Sequence, residues 1–440
     1  MNVKHGKIFG IALIALFMFV FGITATGEAS APVVEWARSY GGSGADWANA
    51  IQQTRDGGYI VAGMSSSNDG DVTGNRGRSD FWVVRLNSIG DIIWQRSLGG
   101  SWEDAAYSVQ QTADGGYIVA GNTNSSDGDV SQSRGVRDGW VVKLDENGEI
   151  EWERTFGGSR WESIREIKQT ADGGYIFTGS SNSSDGDLAG LRGRRRRSNV
   201  WVVKLDANGE IVWQRLYGGT QADGGRAIQQ TKDGGYIVAA SSSSSDGDVS
   251  VNRGGQDFWI IKLDAVGNIV WQRTFGGSGD DVPASIRQTT DGGYIVAGYT
   301  ESNDGDVSGN NGLRDFWIIR LDAEGNLIWQ RALGGTRFDQ AACVQQTRDG
   351  GFIIVGESNS RDGDVSQNNG GVDFWVVKLD AGGNLIWEKS LGGPGGEGAQ
   401  SVQQTSDGGY IIAGGTTRGR FNSSRQRGFD FWIVKLKYKE

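Results

Sequence analysis

Two sets of carboxylates recur along the chain at spacings that suit chemistry. The first ends a Gly-Gly-(Ser/Thr/Pro)-x-x-acid run and comprises Asp46, Asp104, Glu162, Asp223, Asp281, Asp339 and Glu397. Gathered round one axis, seven carboxylates would bind a cation or the hydroxyls of a sugar. Taken singly, each would accept backbone N–H bonds within its own loop, and seven-fold recurrence favours that reading. The second set is an Asp-Gly-Asp motif at Asp69/Asp71, Asp127/Asp129, Asp185/Asp187, Asp246/Asp248, Asp304/Asp306 and Asp362/Asp364. Alternate Asp side chains about a Gly turn toward one Ca²⁺ in other Asp-rich loops, although the EF-hand's Glu at position 12 is absent here. Asx-turns explain the same residues without an ion. Ca²⁺ stands as a candidate for these loops, and no other cofactor is indicated.

The residues flanking the first acids vary freely, and they hold the three Trp that stand outside the chain's regular pattern: Trp47, Trp102 and Trp161. Arg160, Arg337 and Phe338 occupy the same loop class. Aromatic rings beside carboxylates and Arg provide the stacking and directional hydrogen bonds that a carbohydrate or peptide site needs. The alternative is that these rings cap strand ends. Catalysis is constrained from another direction. The single His is His5, in the basic segment ahead of the N-terminal apolar run, which removes Ser-His-Asp and Cys-His arrangements and His-ligated zinc from the rest of the chain. A glycoside hydrolase needs one distinctive pair of carboxylates, whereas these come as near-equivalent sets. The Ser-x-Asp-x-Gly-x-Thr-Trp box of sialidases is also missing.

The scaffold follows from the period. An aromatic after an Asp-Gly-Gly turn falls at Tyr59, Tyr117, Tyr175, Tyr236, Tyr294, Phe352 and Tyr410. The step is 58 residues except between Tyr175 and Tyr236, where it is 61. A fixed period of this kind marks a solenoid, array or propeller. Each copy carries four β-rich runs, here called A to D; in the second copy they are Ala106–Thr112, Tyr117–Ala120, Trp140–Leu144 and Glu149–Thr155. Gly and Asn in the short A–B and C–D connections tolerate the positive φ of hairpin turns. Val33–Tyr40 matches run D ahead of any A run, and the last copy (Ser401–Leu436) stops without a D. The expected fold is therefore all-β, a seven-bladed β-propeller with four antiparallel strands per blade. The N-terminal strand 33–40 would complete blade seven (399–437), within one domain spanning 33–440. The D–A and B–C loops then share one face, and any site is expected there.

Residues 1–29 read as a signal peptide: Lys4 and Lys7 precede an apolar run from Ile8 to Ile23, with small residues near Ala25, Ala29 and Ala31. Sixteen apolar residues fall short of the roughly 20 that span a bilayer. Export, to the periplasm, the cell surface or the medium, with no membrane insertion of the remainder, is the expectation. The net charge of −10 repels phosphates, so nucleic acid is a poor partner, while glycans and proteins stay open. Cys343, the single cysteine, reads as a small buried hydrophobe in strand A of blade six. Seven Trp recur on strand D and seven on strand C, as expected for packing between blades, and the Arg or Lys two residues after each D-strand Trp is expected on the outer wall. Three extra residues in blade three create Arg194–Arg197, read as a solvated loop.

The segment WVVKLDANGEIVW (Trp201–Trp213) resembles the repeat of quinoprotein-type propellers, in which a Trp after an LD-turn-G hairpin docks each blade on the next. The repeat as a whole is similar to those of secreted bacterial seven-bladed propellers of uncharacterised function. Quinoprotein enzymes commonly have eight blades and specialised cofactor ligands; this chain has seven and lacks an adjacent-cysteine pair, so the resemblance implies no cofactor. The expected function is that of an exported, monomeric, non-catalytic binding propeller with a glycan or protein ligand on its loop face. A carbohydrate-active enzyme using channel-mouth acids and a structural cell-surface protein are the alternatives.

Overall fold

The computed structural model describes Met1 and residues 31–191, 197–417 and 428–439. Most of the expected signal peptide, and Arg194 to Arg196, lie outside the described residues. Seven four-stranded antiparallel sheets follow one another round a ring. Blade two, for example, consists of Asp104–Gln111, Tyr117–Thr123, Asp138–Leu144 and Ile150–Phe156. The seventh sheet takes its outermost strand from Val33–Tyr40, which pairs antiparallel with Phe429–Lys437 from Val33↔Lys437 to Tyr40↔Phe431. Closure removes the open edges a linear stack would leave. Among the described residues no helix is long and apolar enough to cross a membrane.

Strands B and C read as continuous apolar runs because each is covered on both faces by neighbouring blades. In blade two, Tyr117–Thr123 and Asp138–Leu144 are buried at every position. Strand D forms the outer wall, and its Trp bridges to the next blade. Trp94 meets Tyr117 edge-on with centroids 5.7 Å apart, and Trp36 of the N-terminal strand meets Tyr59 at 5.9 Å. Such pairs add about 0.5–1.5 kcal/mol beyond burial. Arg96 does not stand free in water as expected: it donates to Asn147 O (3.0 Å) and Glu149 (2.6 Å) of the following blade.

The Gln-Thr-x-Asp-Gly-Gly turn holds the other face. Gly115 sits at φ +99°, while a Cβ on Gly116 would meet Leu144 O and come within 2.6 Å of Lys143 Nζ. That lysine is buried and pairs with Asp114 at 3.0 Å. The Gln Oε1 of each blade accepts the N–H of residue x in the preceding blade, as in Ala113 N to Gln169 (2.8 Å). Ser406 N to Gln53 (2.8 Å) joins the last blade to the first.

Candidate functional site

The loop acids stand in the same seven positions, sealed rather than open. Asp46, Asp104, Glu162, Asp223, Asp281, Asp339 and Glu397 are all 0–4% exposed. Asp104 accepts from Gly100 N and Ser125 Oγ, both at 2.9 Å, and Glu162 from Gly158 N (2.9 Å) and Ser181 Oγ (2.7 Å). The Gly-Gly turn presents N–H groups four residues ahead of the acid, and strand B ends in Ser or Thr hydroxyls beside it. Satisfying those donors turns each carboxylate inward, so none rings the channel mouth for a cation or a sugar.

A second ring of acids, at the first position of strand C, has no counterpart among the expected site residues. Asp80, Asp138, Asp257, Asp315 and Asp373 each accept a loop N–H with one oxygen, for example Arg76 N to Asp80 at 2.9 Å and Asn311 N to Asp315 at 2.8 Å. The other oxygen of each is buried without a partner. Burial pushes Asp80 and Asp315 up to about 7 and Asp257 to about 6, with the neighbouring Asp104, Asp339 and Asp281 adding to the rise. Their sequence signal is an Asp two residues before the C-strand Trp; blade three substitutes Asn199.

The Asp-Gly-Asp motifs fasten one loop to the other. The first carboxylates, Asp69, Asp127, Asp185, Asp246, Asp304 and Asp362, accept the Ser or Thr N–H that follows the Gly-Gly pair, at 2.5–2.8 Å. Asp71, Asp129, Asp187, Asp248, Asp306 and Asp364 accept the N–H of its first Gly, at 2.9–3.2 Å. Asp187 also pairs with Arg134 (2.7 Å) and Asp306 with Arg253 (3.0 Å) of the preceding blades. The middle Gly128, at φ +68°, packs against Gly99. Each pair is thus turned to two different partners rather than to one ion. Among the described residues no group of three or more His, Cys, Asp or Glu is placed to hold a metal.

The aromatic residues divide. Trp47 is half-buried against Phe429 (5.0 Å, edge-on) and Gly415 of blade seven, so it caps a blade junction. Trp102, Trp161 and Phe338 remain 50%, 51% and 48% exposed. An Arg from the preceding blade lies over each ring: Arg78 over Trp102 at 4.7 Å, Arg137 over Trp161 at 4.8 Å, and Arg314 over Phe338 at 5.6 Å. Isolated parallel bridges (Ser79↔Glu103, Arg137↔Trp161, Arg314↔Phe338) hold these loops side by side. Arg160 and Arg337 are exposed next to them; their backbone N–H groups donate to Ser183 and Ser360, and their carbonyls accept from the preceding blade's loop.

The central channel holds a further set of polar groups, away from the expected loop face. Every strand A carries a β-bulge three residues after its loop acid. A bulge re-aims the extra side chain. The bulged residues are Asn49, Tyr107, Arg165, Arg226, Ala284, Ala342 and Gln400, and they line both channel cavities, of 240 and 380 Å³. Blades two to four contribute large or cationic groups at this level, and blades five and six only methyls. Below it, Glu166 is paired with Lys168 (3.0 Å) and Arg287 (2.9 Å). Cys343 is half-buried on the channel wall, its Sγ 3.8 Å from Val402 O, rather than fully buried.

No protein-family model matches the chain. A regulatory protein of Caulobacter vibrioides, FlaEY, is 24% identical over 191 residues, which is 40% of this chain and 20% of that protein. Among solved structures, the Pan2 WD40 domain of Neurospora crassa superposes with a TM-score of 0.49 at 12% identity, covering 89% of this chain and 90% of that one. A gluconolactonase of Xanthomonas campestris gives 0.41 at 13% identity, covering 92% and 91%. These are likenesses of fold, and they include an enzyme as well as a WD40 domain.

Proposed function

We propose that this propeller is a non-catalytic binding protein whose ligand, a protein or a glycan, docks on the loop face around blades two and three. The observation that carries the reading is the pair of half-exposed indoles, Trp102 and Trp161, on adjacent blades, each braced by an Arg from the blade before. A braced ring loses little side-chain freedom on binding, and Trp and Arg dominate the energetics of protein interfaces. The guanidinium covers one face of each indole, which suits insertion into a protein surface better than a sugar sandwiched between rings. The sealed loop acids support a non-catalytic role, since a hydrolytic pair must reach its substrate.

The test probes a glycan array and a displayed peptide library with wild type and with Trp102→Ala/Trp161→Ala. Ligands recovered with the wild type are expected to lose at least about tenfold in affinity with the double variant, the scale of a hot-spot truncation. Unchanged affinity for every ligand recovered would place the binding surface elsewhere.

A further inference from the structure

Among the described residues, the cations of strand C share one arrangement. The strand-C residues Arg85, Lys143, Lys204, Lys262, Arg320, Lys378 and Lys435 are 2–6% exposed. Each pairs with the Asp of an Asp-Gly-Gly turn. In the channel Lys168 and Arg287 share Glu166. Such pairing is expected, because a buried charge without a partner is strongly unfavourable.

Arg165 and Arg226, half-buried on the channel wall, depart from this pairing together. They occupy the same bulge position on adjacent blades and line both channel cavities. Neither forms an ion pair or a side-chain hydrogen bond with a described residue, and Arg226 Nε is buried without a partner. Arg165 lies over the Tyr107 ring at 4.6 Å, which fixes its plane and leaves its donors free. Burial and the neighbouring Arg165 guanidinium push Arg226 down to about 10. On the next two blades round the ring, Ala284 and Ala342 put only methyl groups at this level of the cavity, which leaves space beside the two guanidinia.

We propose that the channel of this acidic protein holds an oxyanion site, in which Arg165 and Arg226 together clamp the phosphate or carboxylate group of a small molecule. Guanidinium forks match both groups through paired charge-assisted hydrogen bonds. Tyr107 and Tyr299 flank the space with hydroxyl-bearing rings. Gln400 on blade seven offers an amide suited to the rest of such a molecule, while the amide of Asn49 on blade one already donates to Ala106 O at 2.7 Å. The site is distinct from the indole pair on the rim and does not depend on it.

Titration calorimetry at low ionic strength on the full chain tests this, with inorganic phosphate, D-glucuronate and, as a neutral control, glucose. Saturable 1:1 binding is expected for phosphate or glucuronate and not for glucose. The tighter of the two anions assigns the class. Arg226→Met and Arg165→Met should each weaken binding about tenfold or more, while Trp102→Ala/Trp161→Ala leaves it unchanged. Saturation by neither anion, equal binding by Arg226→Met and Arg165→Met, or loss in the rim variant would overturn the assignment. The wild-type titration alone decides the case if one Arg variant fails to fold.

Discussion

The strand-C acids should make stability fall as pH rises from 5 to 8, opposite to the behaviour of salt-bridged carboxylates. Asp80, Asp257 and Asp315 are fully buried, and their ordinary value of 3.8 is raised to about 7, 6 and 7. A raised carboxyl is protonated in the folded state when it is already ionised in the unfolded one. The folded state then binds more protons, and stability decreases with pH. The contribution is complete below pH 3.8 and is lost as pH climbs through 6 to 7. Between pH 5 and 8 the three groups span about five pH units of differential protonation in all, or roughly 7 kcal/mol at 1.36 kcal/mol per unit. Relaxation and water entry reduce such values, and we expect about 2–3 kcal/mol. Asp172 and Asp233, lowered to about 2 by their turn hydrogen bonds and Lys partners despite some desolvation, are fully ionised throughout this window and do not mask the effect. The perturbation is the triple variant Asp80→Asn/Asp257→Asn/Asp315→Asn, which copies the residue that blade three already carries at this position, Asn199. Guanidinium unfolding followed by Trp fluorescence at pH 5, 6.5 and 8 gives the midpoints. The wild type should lose stability across the series; the variant, which keeps other carboxyls raised by burial such as Asp138 and Asp373, should lose less and be the more stable of the two at pH 8. A wild-type midpoint that rises with pH, or a variant weaker at pH 8, refutes the reasoning.

Two further outcomes follow from the ring. Removing residues 1–40 strips the outer strand from blade seven and exposes the edge of Phe429–Lys437; light scattering should show concentration-dependent association, and thermal melting should drop by about 10 °C or more. Gly116→Ala forces a Cβ against Leu144 O and within 2.6 Å of Lys143 Nζ. It should destabilise by about 1–3 kcal/mol in chemical denaturation, whereas Ala at Gly115, where nothing lies within 4 Å, is limited to the strain of a positive φ.

Period and phase were legible in the sequence because every blade meets the same packing problem. The turn spacing counted the sheets, and the unmatched D run at Val33–Tyr40 named the partner of the last one. The candidate site was legible only in part. Trp102, Trp161 and Phe338 stood out as departures from the repeat, and they are exposed. Trp47 departs from it too, yet it lies against Phe429, because blades one and seven meet there and the ring fills their junction. For the loop acids and the Asp-Gly-Asp motifs, residue type suggested a ligand while recurrence and turn chemistry suggested bonds within the loops, and the hydrogen bonds follow the second reading. Their direction is set by the Gly-Gly N–H groups and Ser hydroxyls folded in beside them, and local spacing does not encode that.

What the sequence determined unaided was therefore the ring: seven sheets, their strand order and the clasp, all consequences of short-range turn chemistry repeated at a constant interval. What only the tertiary structure decided is which polar groups find partners. Arg165 and Arg226 lie 61 residues apart in the chain, on strands brought together only by the packing of one blade on the next, and whether such a charge finds a partner depends on every wall that faces it.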